Sequence, residues 1–235
     1  MKAMILAAGR GERMRPLTDS CPKPLLVAGG KPLIVWHMER LAAAGITELV
    51  INHAHLGHLI EATLGDGSSH GMRIAYSPEG SALETAGGIA RALPLLGDAP
   101  FLVINGDVFC DADLGALARA ADGLSADGPL AHLLLVANPA HNPDGDFGLH
   151  ADGQVYGTGG QRLTFAGLGA YHPALFTGLD PDTPARLAPL LRAAMARGQV
   201  RGARTDGYWL DVGTPQRLRE LDEYLKRRAA PPVNL

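Results

Sequence analysis

Two closely spaced glycines, a cluster of arginines, a lysine set between prolines and an aspartate after an apolar run are the residues here best suited to phosphate chemistry. Met4 to Arg15 reads Met-Ile-Leu-Ala-Ala-Gly-Arg-Gly-Glu-Arg-Met-Arg, an apolar run that breaks into a loop carrying Gly9 and Gly11. Glycine has no Cβ, so such a loop can take positive φ and bring backbone N–H groups close to an anion. Arg13 and Arg15 add fixed positive charge where a polyphosphate would lie. The spacing is not that of a P-loop, because Glu12-Arg13 follows Gly11 where Lys-Ser/Thr is needed. It is not a dinucleotide fingerprint either, because Met14 stands at the third glycine. Further on, Pro22-Lys23-Pro24 holds a lysine on a stiffened segment, where it loses little freedom on meeting a phosphate. Asn105-Gly106-Asp107 follows the apolar run Pro100 to Ile104. In open α/β sheets ligands bind at the carboxyl ends of strands, which brings Asp107 to the edge that carries the glycine loop. A carboxylate there suits Mg²⁺, which favours oxygen donors and keeps substrate phosphates in its shell; the plainer reading is an aspartate in a strand-end turn.

These groups need a scaffold, and the pattern supplies one by alternation. The apolar segment before Gly9 reads as a buried first strand: it is too brief for a signal peptide and leads into Gly9-Arg10 without a cleavage region. Pro32 opens a helix through Ala44, closed by Gly45, with Leu33, Ile34, Met38 and Leu41 at helical spacing. Strands are expected at Ile46 to Asn52, Arg73 to Tyr76, Pro100 to Ile104 and Leu130 to Val136. Helices are expected at Leu56 to Leu64, Thr85 to Leu96 and Asp113 to Ala121. The short apolar run at Phe101 suits a central strand covered on both faces. This order argues a Rossmann-like, mostly parallel, doubly wound α/β sheet. The second half reads as hairpin-like pieces around Phe147 to Tyr156 and Leu163 to Tyr171, a helix from Ala185 to Arg197, strands at Val200 to Ala203 and Tyr208 to Val212, and a helix from Pro215 to Arg228. One domain over residues 1–228 is expected, with a loose tail at 229–235.

Composition bounds the function. The chain has 235 residues, enough for one α/β domain with an ample core, and a net charge of −3, which gives no basic field for nucleic acid or an anionic membrane. No apolar stretch approaches a membrane span. Cys21 and Cys110 lie far apart without metal-ligand spacing, which suits a reducing cytoplasm. His53, His55, His58 and His70 lack an acid or cysteine to complete a transition-metal set and read as surface or capping residues. Lys226-Arg227-Arg228 complements a helix C-terminus rather than forming a nucleic-acid patch. No apolar face stands out as an interface, so the oligomeric state stays open.

The string Leu-Ala-Ala-Gly-Arg-Gly-Glu-Arg-Met-Arg-Pro-Leu-Thr from Leu6 to Thr18, followed by Pro22-Lys23-Pro24, resembles the signature of the sugar-1-phosphate nucleotidylyltransferases. These enzymes join a nucleoside triphosphate to a sugar 1-phosphate and release pyrophosphate. The resemblance implies a triphosphate held by Leu6, Ala8, Gly9, Gly11, Glu12, Arg13 and Lys23. It makes Asp107 a Mg²⁺ ligand, with Asp211 as the second, from the run Trp209-Leu210-Asp211-Val212-Gly213-Thr214-Pro215. The bland alternative for Asp211 is an acceptor for Trp209 or for the helix start. Arg13, Lys23, Asp107 and Asp211 are then the catalytic set.

The stretch from Glu79 to Gly88 is similar to the family's nucleoside-binding turn, with Thr85, Gly87 and Gly88 against the nucleoside and Glu79, or else Glu84, reading the base. Thr85 as a helix cap and Gly87 and Gly88 as packing glycines is the competing view. Ser77-Pro78-Glu79 and Leu83 to Ile89 look most like the N-acetylmuramate 1-phosphate uridylyltransferases, which implies UTP, a muramoyl sugar phosphate and peptidoglycan sugar recycling. The family's Glu-Lys-Pro is missing, and Gly159-Gly160-Gln161-Arg162 stands in its place, so Arg162 is the expected substitute. Asp146-Phe147-Gly148 and Thr164 to Gly169 resemble sugar-binding turns, which makes Asn105, Gly148 and Gly167 the other sugar contacts. Two rivals remain: another hexose 1-phosphate with UTP, dTTP or GTP, and a non-catalytic nucleotide-sugar binding protein.

Overall fold

A computed structural model describes residues 1–229. In chain order its elements are β1 (Lys2–Leu6), β2 (Val27–Ala28), β3 (Lys31–Pro32), α1 (Leu33–Ala43), β4 (Glu48–His53), α2 (Gly57–Leu64), β5 (Arg73–Pro78), α3 (Glu84–Leu96), β6 (Phe101–Asn105) and β7 (Val108–Cys110). There follow α4 (Leu114–Ala121), β8 (Ala131–Val136), β9 (Phe147–Leu149), β10 (Val155–Tyr156), β11 (Arg162–Tyr171), α5 (Leu187–Met195), β12 (Val200–Arg204), β13 (Trp209–Asp211) and α6 (Pro215–Ala229). Of the tail expected at 229–235, residues 230–235 lie outside the described residues.

The parallel strands β5, β4, β1 and β6 run in that spatial order, and β11 adds to β6 antiparallel. β8 joins β11 antiparallel and β12 joins β8 parallel. Side chains alternate across this sheet as the two-residue period of a strand demands. Ala3, Ile5, Leu49, Ile51, Leu102 and Ile104 face one layer, with α1, α2 and α4. Met4, Val50, Phe101 and Val103 face the other, with α3 and α5. The mostly parallel, doubly wound sheet is therefore present. Its helices start and stop where their residues dictate: Asp113 Oδ1 accepts from Ala116 N at 3.0 Å to cap α4, and Gly45, at φ 77°, ends α1.

Two segments differ from the sequence expectation. Leu163 to Tyr171 is not a hairpin piece. It belongs to one long strand, β11, which pairs with β9 at its start and with β6 and β8 further on. Local pattern could not show this, because the partners lie far away in sequence. Tyr208 to Val212 does not join the main sheet; β13 pairs antiparallel with β7 as a separate two-stranded ribbon. A third apolar cluster underlies that ribbon, where Leu221 and Leu225 of α6 meet Met14, Phe109 and Val212. The last helix thus supports the glycine loop from beneath.

His37 on α1 is buried, and its Nδ1 finds no partner among the described residues. Burial, assisted by the nearby charge of Arg40, lowers its pKa to about 4. The unfolded chain therefore takes up a proton near the ordinary histidine value while the folded one does not. Stability is whole above pH ~6.5 and falls as the pH drops toward 4, by about 3 kcal/mol in all. Denaturant melts of wild type and His37→Gln across that window are expected to show the decline in the first and a flatter curve in the second.

Candidate functional site

The glycine loop leaves β1 at the carboxyl edge of the sheet. Gly11 takes the left-handed conformation, φ 64°. Its carbonyl accepts from Thr18 Oγ1 and from Met14 N, both at 2.8 Å, and Met14 is fully buried over α6. A Cβ on Gly11 would lie 2.9 Å from Thr18 Cγ2, whereas one on Gly9 would meet no protein atom. Gly11 is needed by the loop itself; Gly9 faces open space, the side from which a ligand approaches. Gly11→Ala is expected to raise the KM for the triphosphate about tenfold, because an alanine in this conformation costs about 1–2 kcal/mol. Steady-state kinetics with the triphosphate varied checks this.

Gly9, Gly11, Glu12 and Arg13 border a cavity of about 520 Å³ whose far side carries Lys23 and Asp107. Arg13 and Asp211 converge on Gly213, where a Cβ would sit 3.1 Å from Arg13 Nη2 and 3.1 Å from Asp211 Oδ1. Arg15 is not part of this: it pairs with Asp19 on the surface at 3.2 Å.

Lys23 is buried, and its Nζ donates to Asp107 Oδ2 at 2.7 Å. The β7–β13 ribbon brings the second aspartate alongside. Asp211 is registered opposite Val108, and Val212 N donates to Asp107 O at 2.8 Å. Asp211 Oδ2 in turn accepts from Arg217 Nη1 at 2.9 Å, with His141 Nε2 at 3.6 Å. Both aspartates and Arg13 line one cavity with Asn105. Each carboxylate is thus balanced by one cation, Lys23 or Arg217. The alternative role for Asp211 as the acceptor of Trp209 is not what the structure shows, since Trp209 Nε1 donates to Ala166 O at 2.9 Å. Two carboxylates, hard oxygen donors with room beside them, fit Mg²⁺, which completes its shell with phosphate and water. Arg217 and His141 escaped the sequence reading: an arginine in the first turn of a helix carries no mark that it folds back six residues.

The next cavity, of about 390 Å³, runs from Leu6, Ala8 and Gly9 across Lys23 and Asp107 to Glu79 and Thr85. Its volume falls within the range of small-ligand pockets. Asn52, also missed from sequence, ties the walls together. Its Oδ1 accepts from Ala7 N at 2.9 Å and its Nδ2 donates to Glu79 Oε1 at 2.5 Å. Glu79 Oε2 accepts from Leu83 N at 2.8 Å. The carboxylate of Glu79 is therefore a buried brace as well as a wall of the cavity.

Gly87 and Gly88 are packing glycines in this structure. A Cβ at Gly88 would fall 2.4 Å from Glu79 Oε1, and one at Gly87 would fall 2.8 Å from Thr183 O. The amides of Ala86 and Gly87 both donate to Ala185 O, so the start of α3 is already satisfied by protein. Gly88→Ala is expected to destabilise the fold by about 1–3 kcal/mol in a denaturant titration, because the Asn52–Glu79 pair must move. Glu84, at φ 60°, holds an uncommon backbone conformation at the rim of the same cavity.

On the far side of Asn105 lies a recess of about 290 Å³, entered past Glu84 and Thr85. Of the expected sugar contacts, Asn105 lines it, and Gly167 supports Asn105 from behind. Gly167 takes φ +75° at an irregularity in the pairing of β11 with β8, and a Cβ there would lie 2.9 Å from Asn105 Nδ2. Gly148 and Arg162 are not brought to the recess. They are paired with each other across β9 and β11, and a Cβ on Gly148 would strike the ring of Tyr156 at 1.9 Å. The recess presents Asp146, Phe147, Arg186 and Arg192, and α5, which carries Arg192, is an ordinary amphipathic helix with no motif to mark its arginine. The histidines do not converge: His53 pairs with Glu61 at 2.6 Å, while His55 sits by Arg10 in a separate opening. Among the described residues no helix is long and apolar enough to cross a membrane.

The chain is 59% identical over 223 residues to the N-acetylmuramate alpha-1-phosphate uridylyltransferase of Neisseria meningitidis serogroup B, a match covering 94% of this chain and 96% of that one. It is 35% identical to the protein of the same name from Caulobacter vibrioides, over 91% and 92% of the two lengths. The mannose-1-phosphate guanyltransferase of Aspergillus fumigatus is 31% identical, over 92% of this chain and 62% of its own. In three dimensions, a Bacillus anthracis protein assigned provisionally as a glucose-1-phosphate thymidylyltransferase and solved with sucrose superposes with a TM-score of 0.83. It covers 100% of this chain and 97% of its own at 22% identity, which speaks for the fold. The sequence profile described as "Nucleotidyl transferase" matches residues 2–154, the stretch that holds the glycine loop, Lys23, Glu79 and Asp107. With that match and those full-length relatives, the chain belongs to the nucleotidyl transferase family.

Proposed function

We propose that the protein transfers a uridylyl group from UTP to N-acetylmuramate 1-phosphate, giving UDP-N-acetylmuramate and pyrophosphate, and so returns a recovered cell-wall sugar to use in the cytoplasm, where UTP is made. The observation that carries this reading is the 59% identity, over nearly the full length of both chains, to the Neisseria meningitidis enzyme of that name. The site geometry supports the same chemistry. Relatives near 31% identity bear another sugar and another base in their names, so the family match by itself supports the reaction class more than the substrate pair.

The chemistry follows from the groups gathered at the site. A phosphate oxygen of the sugar 1-phosphate attacks the α-phosphorus of the triphosphate in line, a new P–O bond forms, and the bond to the β-phosphate breaks to release pyrophosphate. The attacking group is already an anion, so no side-chain nucleophile is required; positioning and charge neutralisation carry the rate. The loop from Gly9 to Gly11 and Arg13 hold the β- and γ-phosphates. Lys23, fixed by Asp107, lies where the phosphates meet and offsets their mutual repulsion. Asp107 and Asp211 are the residues that would hold Mg²⁺, which when bound neutralises phosphate charge that the arginines leave uncovered. Leu6, Ala8 and Thr85 offer the nucleoside a close-fitting wall, and Asn105 with the recess beyond receives the sugar.

The test is pyrophosphate release with Mg²⁺, crossing UTP, dTTP, GTP, CTP and ATP with N-acetylmuramate, N-acetylglucosamine, glucose and mannose 1-phosphates. Turnover with UTP and the muramate ester far above every other pair is the expected result. A best rate with another pair keeps the reaction and discards the muramate reading. Silence across the panel, with UTP still bound, points to a binding protein.

A further inference from the structure

The sugar-side recess has an uneven distribution of charge. Its four charged residues are Glu84, Asp146, Arg186 and Arg192. Glu84 is matched by Arg186, at 3.7 Å, and Asp146 Oδ2 accepts the amide of Phe165 at 2.8 Å. Arg192 has no carboxylate partner among the described residues. Its guanidinium lies over the ring of Phe147, 5.7 Å from the centroid, and the backbone of Gly157 packs by its stem. An arginine held by an aromatic face, with its donors uncommitted, is suited to a bidentate carboxylate.

Its position specifies which part of a ligand it can meet. Asn105, Glu84 and Thr85 line both this recess and the cavity of Lys23 and Asp107, so they mark the joint between the two. Arg192 lines the recess but not the cavity of Lys23 and Asp107. A sugar whose C1 phosphate lies by Lys23 points the opposite side of its ring toward Arg192. N-acetylmuramate differs from N-acetylglucosamine by a lactyl ether on O3, on the C3–C4 edge of the ring that lies opposite C1 and the ring oxygen, and that ether ends in a carboxylate.

We propose that Arg192 is the residue that selects a carboxylate-bearing sugar, by pairing with the lactyl carboxylate of N-acetylmuramate 1-phosphate. The inference rests on the reading of the substrate given above. It assigns the lactyl group to α5 and not to Gly148 or Gly167, the sugar contacts that sequence similarity suggested.

The experiment compares wild type, Arg192→Gln and Arg192→Lys, each with UTP and either N-acetylmuramate or N-acetylglucosamine 1-phosphate. The ratio of kcat/KM for the two sugars is expected to fall about 10- to 100-fold in Arg192→Gln, chiefly through the KM of the muramate ester, the range expected for losing a hydrogen-bonded charge pair. Arg192→Lys restores part of the ratio. Titration calorimetry is expected to show the same loss in the preference for UDP-N-acetylmuramate over UDP-N-acetylglucosamine. A ratio that stays constant, whether both rates fall together or neither changes, overturns the assignment and leaves Arg192 as a prop for Phe147. Wild type that already prefers a sugar without an acid overturns the substrate reading instead, and the assignment with it.

Discussion

Asp107→Asn is expected to lower kcat by at least about a thousandfold while leaving the thermal midpoint within a few degrees of wild type. The Asp107 side chain is itself 39% exposed, and the asparagine amide oxygen can still accept from the buried Lys23 Nζ, so the contact that holds the lysine survives in the folded protein. What disappears is the charge that binds Lys23 at 2.7 Å and that supplies one of the two carboxylates at the phosphate cavity. The amide keeps the shape but is a poor Mg²⁺ ligand, and loss of one preorganised charge at such a site costs about 10²–10³ by itself. The decisive comparison is turnover at saturating UTP and sugar phosphate over a wide range of Mg²⁺. Full rescue at high Mg²⁺ would reduce Asp107 to an affinity determinant, and normal activity at ordinary Mg²⁺ would remove it from the site.

Lys23→Met is expected to lower kcat about 10²- to 10³-fold with a smaller change in the KM for UTP. Methionine keeps the aliphatic stem, which packs under Gly11, where a Cβ would lie 3.4 Å from Lys23 Cβ. It removes only the ammonium. Lys23→Arg is not expected to restore the rate, because the head group occupies a slot only 9% exposed and a planar guanidinium needs more room than a single Nζ. Single-turnover measurements separate the two possible losses: a slow chemical step with normal UTP binding supports the catalytic role, and weak binding with a normal chemical step contradicts it. In the double variant with Asp107→Asn the effects are expected to add to less than their sum, since the two groups form one ion pair.

The legible part of the site is the part written in contiguous residues. The loop from Gly9 to Arg13 and Lys23 between its prolines declare themselves because backbone conformation is a local property: Gly11 needs φ 64° whatever surrounds it. Asp107 is legible because a hydrophobic run followed by Gly-Asp in an alternating chain must end at the ligand edge of the sheet. The glycines after Thr85 show the limit of such reasoning. In sequence Gly87 and Gly88 suit a nucleoside as well as they suit close packing, and only the structure shows a backbone carbonyl and a buried carboxylate in the space a Cβ would take.

The sequence by itself determined the alternation of strands and helices and the glycine loop, which follow from side-chain periodicity and local backbone freedom. Lys23 and Asp107 were singled out with the help of the resemblance to the nucleotidylyltransferases, since a proline-rich turn and a strand-end aspartate read equally well from the residues alone. Tertiary structure decided how distant residues gather around them, Asp211, already named by the resemblance, included. Asp211 reaches Asp107 because β13 pairs with β7 outside the main sheet; Arg217 folds back to hold it; Asn52 braces Glu79 from the neighbouring strand. Arg162, expected at the sugar, pairs with Gly148 away from the recess, while Arg186, just before α5, and Arg192, on it, stand beside that recess. Most of these contacts join separate elements, and their geometry is set by sheet register and helix packing, which no short stretch of chain encodes.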